Sequence, residues 1–274
     1  METLEKIYKE IILNSTQYSG EKKKRQKILS ASQLLIDPIA WRLKYEHGVI
    51  ERDNIGQNTI GSLLQLGIDE CVDKYNKKHT EIHALYAQRF TATLINDFTL
   101  SGEIDQLIEV DDTLWIIDNK LIKHGKFEQI KKEGAYNEYA LQVRAYKYLL
   151  QQYDHYSKYN IRMVLFLWFK DGTKFGKKPL TDYELYEIED NFSNSEFEKE
   201  ILYPKVLDLE ESLVIPSENL EQCSNLFWNN RGKGEKSEPF KCMYFCDYNK
   251  YCPHYKKYNK GAGRKNLINL ISKL

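Results

Sequence analysis

Two carboxylates and a lysine, Asp105, Asp118 and Lys120, sit in the stretch Ser101–Lys123, SGEIDQLIEVDDTLWIIDNKLIK, where a hairpin would bring them together. If the chain reverses at Asp111–Asp112, Val110 faces Thr113 and Asp105 lies across from Asp118. Opposed residues on one sheet face have Cβ atoms about 4.5–5.5 Å apart, and like charges placed there destabilise the pair. A divalent cation between them removes that repulsion. Alternation along the strand puts Lys120 on the face of Asp118 and turns Asn119 away. Two carboxylates and an ammonium on one face suit metal-assisted phosphodiester hydrolysis. The same residues also suit a solvated charged edge, and Asp-Asp is a poorer two-residue turn than Asn-Gly or Asp-Gly. The apolar run Leu114–Ile117 beside Asp118 favours the buried reading, because a carboxylate buried there needs a partner.

Such a hairpin needs neighbours to hold it. ALYAQRFTATLIND, FTLSGEIDQLIEV and TLWIIDNKLIK read as an antiparallel meander joined by tight turns. AYNEYALQVRAYKYLLQQY (135–153) is the clearest helix, with Tyr139, Gln142, Val143, Tyr146, Leu149, Leu150 and Tyr153 on one stripe. Gln142 is a polar residue within that stripe and Tyr146 follows it by one turn. A buried amide without partners costs about 1–3 kcal/mol, so Gln142 is either a satisfied core residue or a group that orients the site. IRMVLFLWFK (161–170) is a nearly continuous apolar run, as expected of a central strand covered on both faces. Upstream, NTIGSLLQLGIDECVDKYNKK (58–78) carries Leu63, Leu64, Ile68 and Val72 at helical spacing. SASQLLIDPIAWRLKYEHG (30–48) starts on Ser and stops on Gly, with Pro38 able to begin a second helical piece. Residues 1–20 and the closing GAGRKNLINLISKL read as helices, EKKKRQK (21–27) as a solvated basic linker and NNRGKGEKSEP (229–239) as a loop. The acidic stretch from Asp182 to Leu213 reads as mostly helical.

The chain has 274 residues, 42% hydrophobic and 29% charged, an ordinary globular balance. Lys+Arg and Asp+Glu are both 40, so nucleic-acid binding would require a local basic patch rather than overall charge. No apolar run is long enough for a membrane span, and the N-terminal stretch lacks a signal-peptide core. Five cysteines, an odd number, favour a reducing, cytoplasmic setting over a disulfide scaffold.

Taken in order, GEIDQL (102–107), IIDNK (116–120) and QVRAY (142–146) resemble the G-x-x-D, D-x-K and Q-x-x-x-Y motifs of the RecB-like branch of the PD-(D/E)XK nuclease superfamily. The resemblance implies Mg²⁺ or Mn²⁺ bound by Asp105, Asp118 and the carbonyl of Asn119. It implies a Lys120 that positions or helps deprotonate the attacking water, with Gln142 and Tyr146 beside the site. Many relatives carry His or Glu on the helix before the hairpin, where Gln65 stands here and Glu70 is a fallback. Glutamine offers an oxygen ligand without charge.

The AddB-like and CRISPR-associated relatives hold a [4Fe–4S] cluster with one upstream cysteine and three near the C-terminus. The matching residues are Cys242, Cys246 and Cys252, spaced C-x3-C-x5-C rather than C-x2-C-x5-C, while Asp37 stands where the upstream cysteine would be. Cys223 or Cys71 would complete the set. The alternative is zinc, which accepts mixed sulfur and nitrogen ligands, held with His254 or Cys223.

The expected fold is therefore α/β, a restriction-endonuclease-like core with a mixed central sheet flanked by helices and a cysteine-bearing C-terminal segment. One domain spans 1–274, with N-terminal helices to 84, the catalytic sheet and helix over 85–170 and the helical, cysteine-containing part beyond. The expected activity is a metal-dependent exonuclease acting on DNA ends, with Lys123, Lys126 and Arg144 as phosphate contacts. The rival expectation is a degenerate nuclease scaffold that binds DNA or assists assembly.

Overall fold

The hairpin is the middle of a six-stranded sheet. The computed structural model describes residues 25–48, 57–78, 83–169, 174–175, 178–179, 183–223, 246 and 248–259. The expected helices at 1–20 and 261–274, the loop at 229–239 and Cys242 lie outside them. In chain order come β1 (Ile28–Ser30), α1 (Pro38–His47), α2 (Gln57–Asn76), β2 (His83–Thr93), β3 (Thr99–Val110) and β4 (Thr113–Ile122). Then follow α3 (His124–Glu133), α4 (Glu138–Leu150), the single turn α5 (Asp154–Ser157) and β5 (Asn160–Phe169). After the two-residue pair β6 (Lys174–Phe175) and β7 (Lys178–Pro179) come β8 (Tyr183–Ile188), α6 (Asn194–Phe197), α7 (Tyr203–Val214) and α8 (Pro253–Asn259). Mixed pairing within this sheet, with helices about it, is the expected α/β architecture. Among the described residues no helix is long and apolar enough to cross a membrane.

The antiparallel meander of β2, β3 and β4 is present, and β3 and β4 pair in the expected register, with Val110 opposite Thr113. Asp111 takes a left-handed φ of 54° at the turn, a conformation that Asp tolerates better than most residues. β5 then joins β4 in parallel and β8 joins β5 antiparallel. Leu114, Ile116, Met163, Leu165 and Leu167 are all buried, and complete burial of such a side chain contributes about 1.5–3 kcal/mol.

One topological detail shapes the site. β2 follows β3 along one edge from Thr99 to Glu109, so β1 and β4 must share the other. β1 takes Thr99–Ser101 in parallel and β4 takes Gln106–Val110 antiparallel. The four residues Gly102–Asp105 fall in the fork between the two ladders.

The stretch after β5 departs from the expected run of helix, because Tyr183–Ile188 is a strand. Its sequence, YELYEI, is exposed and half-buried in alternation up to a buried Ile188, the pattern of an edge strand. Helix resumes at α6, opened by a capping box in which Ser193 and Glu196 exchange hydrogen bonds.

The described residues divide between two compact units. The first draws on Lys27–Leu35 and on the chain as far as Pro204, and holds the sheet, α2, α3 and α4. The second draws on the chain from Ile36 through α1 and from Lys205 onward. Its core joins Ile39 and Leu43 of α1 to Leu220 and Cys252, with Cys223, Tyr248 and Tyr255 packed against them. Arg42 donates to the carbonyls of Ser212 (3.1 Å) and Leu213 (2.5 Å), placing a cation on the C-terminal end of α7.

Candidate active site

The β3–β4 ladder runs from Val110 opposite Thr113 to Gln106 opposite Ile117. One step further, in the fork, the Asp105 carboxylate accepts from the backbone N–H of Asn119 at 2.8 Å. Asp118 is fully buried on the adjacent strand, and its Oδ2 lies 2.6 Å from Lys120 Nζ. Its Oδ1 accepts from Gln142 Nε2 at 3.2 Å, and the same amide donates to Tyr146 Oη at 2.5 Å. Asp105, Asp118, Asn119, Lys120, Gln142 and Tyr146 thus form one connected polar group.

The helix α4 carries its share by local means. Asn137, itself fully buried, caps the helix by accepting from the N–H of Tyr139 at 3.0 Å. Gln142 and Tyr146, four residues apart, then stand one above the other. Gly102 lies beneath them. A Cβ at that position would be 2.7 Å from Tyr146 Cε1, 2.8 Å from its Cδ1 and 3.0 Å from Leu149 Cδ1. Only a residue without a side chain leaves room for the ring.

The electrostatics are those of anionic groups kept from water. Burial, then the neighbouring Asp118, push the Asp105 carboxyl up to about 7, against the pull of Lys120 and the Asn119 N–H. Burial also raises Asp118, with the Lys120 ammonium opposing it. For Lys120, burial works to lower the pKa, but Asp118 and Asp105 outweigh it and the ammonium form is favoured. Burial raises Tyr146, which stays a neutral phenol.

The helix α2 borders the same fork. Gln65 Nε2 donates to Asp69 Oδ1 at 2.8 Å and lies 3.4 Å from the backbone carbonyl of Asp105. Glu70, the fallback acid, points elsewhere: it is exposed and paired with Lys74 at 2.8 Å. Asp69 is the acid that shares the face of Gln65, and burial raises its carboxyl. The i, i+4 spacing from Gln65 is the signal in the sequence that marks it.

The proposed phosphate contacts separate. Lys123 is exposed just before α3, and Lys126 pairs with Glu138 at 2.9 Å. Arg144 is buried instead of facing solvent. Its guanidinium is held by Asp190 at 2.9 Å, Asn194 Oδ1 at 2.9 Å and the Phe192 carbonyl at 3.0 Å, over the ring of Phe197. A guanidinium so enclosed pins the chain after β8 to α4 and has no surface to offer a phosphate. The expectation of an Arg144–DNA contact is corrected on that ground.

In the second unit, Cys223, Cys246 and Cys252 line one small pocket with His254, Ile39 and Leu43. His254 Nε2 is engaged with the Leu220 carbonyl at 2.7 Å. Cys71 is exposed and outside this group. Among the described residues, no three cysteine, histidine or carboxylate side chains converge closely enough to hold a metal ion.

A model of the PD-(D/E)XK nuclease superfamily matches residues 4–253 of the chain. Among solved structures, the crystal structure of SSO0001 aligns with a TM-score of 0.50 at 16% identity, covering 91% of this chain and 97% of that one. At that identity the likeness concerns the fold. No curated protein matches the sequence.

Proposed function

Because this chain belongs to the PD-(D/E)XK nuclease superfamily, a family of metal-dependent nucleases, we propose that it is an Mg²⁺- or Mn²⁺-dependent deoxyribonuclease of the RecB-like branch, removing nucleotides from DNA ends. The observation that carries this reading is the juxtaposition of two carboxyls, half-buried Asp105 in the fork of β3 and fully buried Asp118 on β4, with Asp105 pushed up to about 7 and the Lys120 ammonium against Asp118.

The donor set fits a hard dication. Asp105, Asp118, the Asn119 carbonyl and Gln65 offer oxygen ligands, and carboxylates raised by burial gain most from a nearby positive charge. When bound, Mg²⁺ or Mn²⁺ supplies Lewis acidity toward the phosphate and lowers the pKa of water. Asp105 and Asp118 then act as the anionic cradle. Lys120, held in its ammonium form, stabilises charge that builds on the phosphate oxygens rather than accepting a proton. Gln142 fixes the Asp118 carboxylate through Oδ1, and Tyr146 fixes Gln142. Asp69, tied to Gln65, places a further negative charge at the α2 side of the site. Lys123 and Lys126 supply phosphate contacts.

The sequence motif carries a second proposal, a [4Fe–4S] cluster or zinc on Cys242, Cys246, Cys252 and Cys223, of which Cys223, Cys246 and Cys252 line one pocket but do not converge closely enough to form a ligand set. Iron and sulfide content against zinc content of the purified chain decides between them. Cysteines that form no disulfide at 71, 223, 246 and 252 support a reducing, cytoplasmic location.

The test is hydrolysis of end-labelled linear single- and double-stranded DNA with Mg²⁺ or Mn²⁺, beside Asp118→Ala and Lys120→Ala. Cleavage that disappears in both variants places catalysis on the hairpin. Folded protein that binds DNA but cleaves it with neither metal would sink the reading in favour of a scaffold.

A further inference from the structure

The hairpin lysine has a second partner besides the carboxylates. Lys120 Nζ lies 5.3 Å from the centroid of the Tyr139 ring, on the first turn of α4. We propose that Tyr139 is a positioning residue whose ring holds the Lys120 ammonium at the site when Asp118 is engaged by the dication. The proposal rests on the nuclease reading above.

The argument begins from competition. Lys120 is held in place by Asp118 Oδ2 at 2.6 Å. A dication shared by Asp105 and Asp118 draws on that same carboxylate and repels the ammonium, so the ion pair weakens when the site is loaded. A lysine on four flexible carbons then needs another anchor to remain over a phosphate. The face of an aromatic ring attracts a cation within about 6 Å of its centroid without offering an anion for the dication to take.

The backbone that carries the ring is fixed at the helix start. The N–H of Tyr139 is bonded to Asn137 Oδ1 at 3.0 Å, and Asn137 Nδ2 donates to Glu133 Oε2 at 2.5 Å. Lys126 Nζ, paired with Glu138 at 2.9 Å, also lies 5.4 Å from the same ring centroid. The charged groups around the ring are thus Lys120, Lys126, Glu138 and Asp118, and the phenol stays neutral among them because burial and Glu138 raise it.

The test compares Tyr139→Phe and Tyr139→Leu in the full chain, with Mn²⁺ affinity by calorimetry, steady-state DNA hydrolysis, and the side-chain resonances of Lys120 in lysine-labelled protein. Tyr139→Leu is expected to lower kcat roughly five- to tenfold with KM and Mn²⁺ affinity unchanged, and Tyr139→Phe to stay within about twofold of the parent. The ring-current shift of the Lys120 resonances should persist in Tyr139→Phe and vanish in Tyr139→Leu. A Tyr139→Phe variant as slow as Tyr139→Leu overturns the proposal by making the hydroxyl the active part. So does a change confined to KM, which makes the ring a stacking surface for bases. If the parent neither binds Mn²⁺ nor cleaves DNA, the nuclease reading is the one that fails, and the ring-current comparison still decides whether the ring holds Lys120.

Discussion

Gly102 and Tyr146 are locked together by space: a Cβ on the glycine would meet the ring at 2.7 Å. The ring in turn sets the hydroxyl that receives Gln142, whose amide also holds Asp118. The glycine is therefore required by a neighbour's ring, not by its own backbone angles. Gly102→Ala should destabilise the fold by about 1–3 kcal/mol through overpacking. It should also cut DNA hydrolysis roughly tenfold or more, since catalytic alignment tolerates little displacement. Thermal melting and a cleavage assay on the same sample check both, and unchanged hydrolysis in a destabilised variant would break the link from Gly102 to the site.

The raised carboxyl of Asp105 gives a pH signature. In the unfolded chain an aspartate loses its proton near about pH 3.9, whereas in the metal-free fold Asp105 keeps it to about 7. The metal-free fold therefore holds the extra proton across that window and loses stability as pH rises through it. A dication binds the deprotonated form, so its affinity climbs with pH and levels off above about 7. Melting with and without Mn²⁺ should show a larger stabilisation at about pH 8 than at about pH 6, and Asp105→Asn should flatten the difference. Equal stabilisation at both values would contradict a proton displaced from Asp105.

The hairpin was legible because a two-residue turn and the period of a strand leave one register, and Val110 does face Thr113. The fork that isolates Gly102–Asp105 was not legible, since it depends on a three-residue strand, Ile28–Ser30, arriving from far upstream. Tyr183–Ile188 hid within an acidic run whose composition outweighed its alternation. Arg144 sits between Gln142 and Tyr146 in sequence, yet each helical residue turns about 100°, which carries it to Asp190 rather than to the site. Sequence spacing gives neighbours along an element, while the rotation of that element is set by what it packs against.

Asp69 and Glu70 are adjacent in sequence and differ in what they face. Asp69 is bonded to Gln65 at the fork, and Glu70 is exposed with Lys74. Asp69→Asn should weaken Mn²⁺ binding roughly three- to tenfold, in line with loss of a nearby charge or outer-shell partner. Glu70→Gln should leave it unchanged, and Gln65→Glu should strengthen it. Calorimetric titration distinguishes these, with Asp118→Ala as the variant that binds nothing. An unaltered affinity in Asp69→Asn would show that its carboxylate does not reach the cation.

Basic residues near the motifs should separate by burial rather than by position in the chain. Arg144 is buried and held by Asp190, Asn194 and the Phe192 carbonyl, so Arg144→Ala leaves the Phe192 carbonyl and the Asn194 amide without their donor and a space where the guanidinium was. Removing the donor from buried hydrogen-bonded groups costs about 1–3 kcal/mol. Lys147, 2.6 Å from the same Asp190, still pairs with that carboxylate and sets the outcome toward the lower end. DNA affinity of the folded fraction should be unaffected by this substitution. Lys123→Ala with Lys126→Ala should do the opposite, sparing the melting temperature, weakening DNA binding at every sequence and lowering the slope of affinity against salt by roughly 1–2. Melting curves and binding titrations over a range of salt concentrations test the contrast. A salt slope reduced by Arg144→Ala instead would return that guanidinium to the phosphate surface.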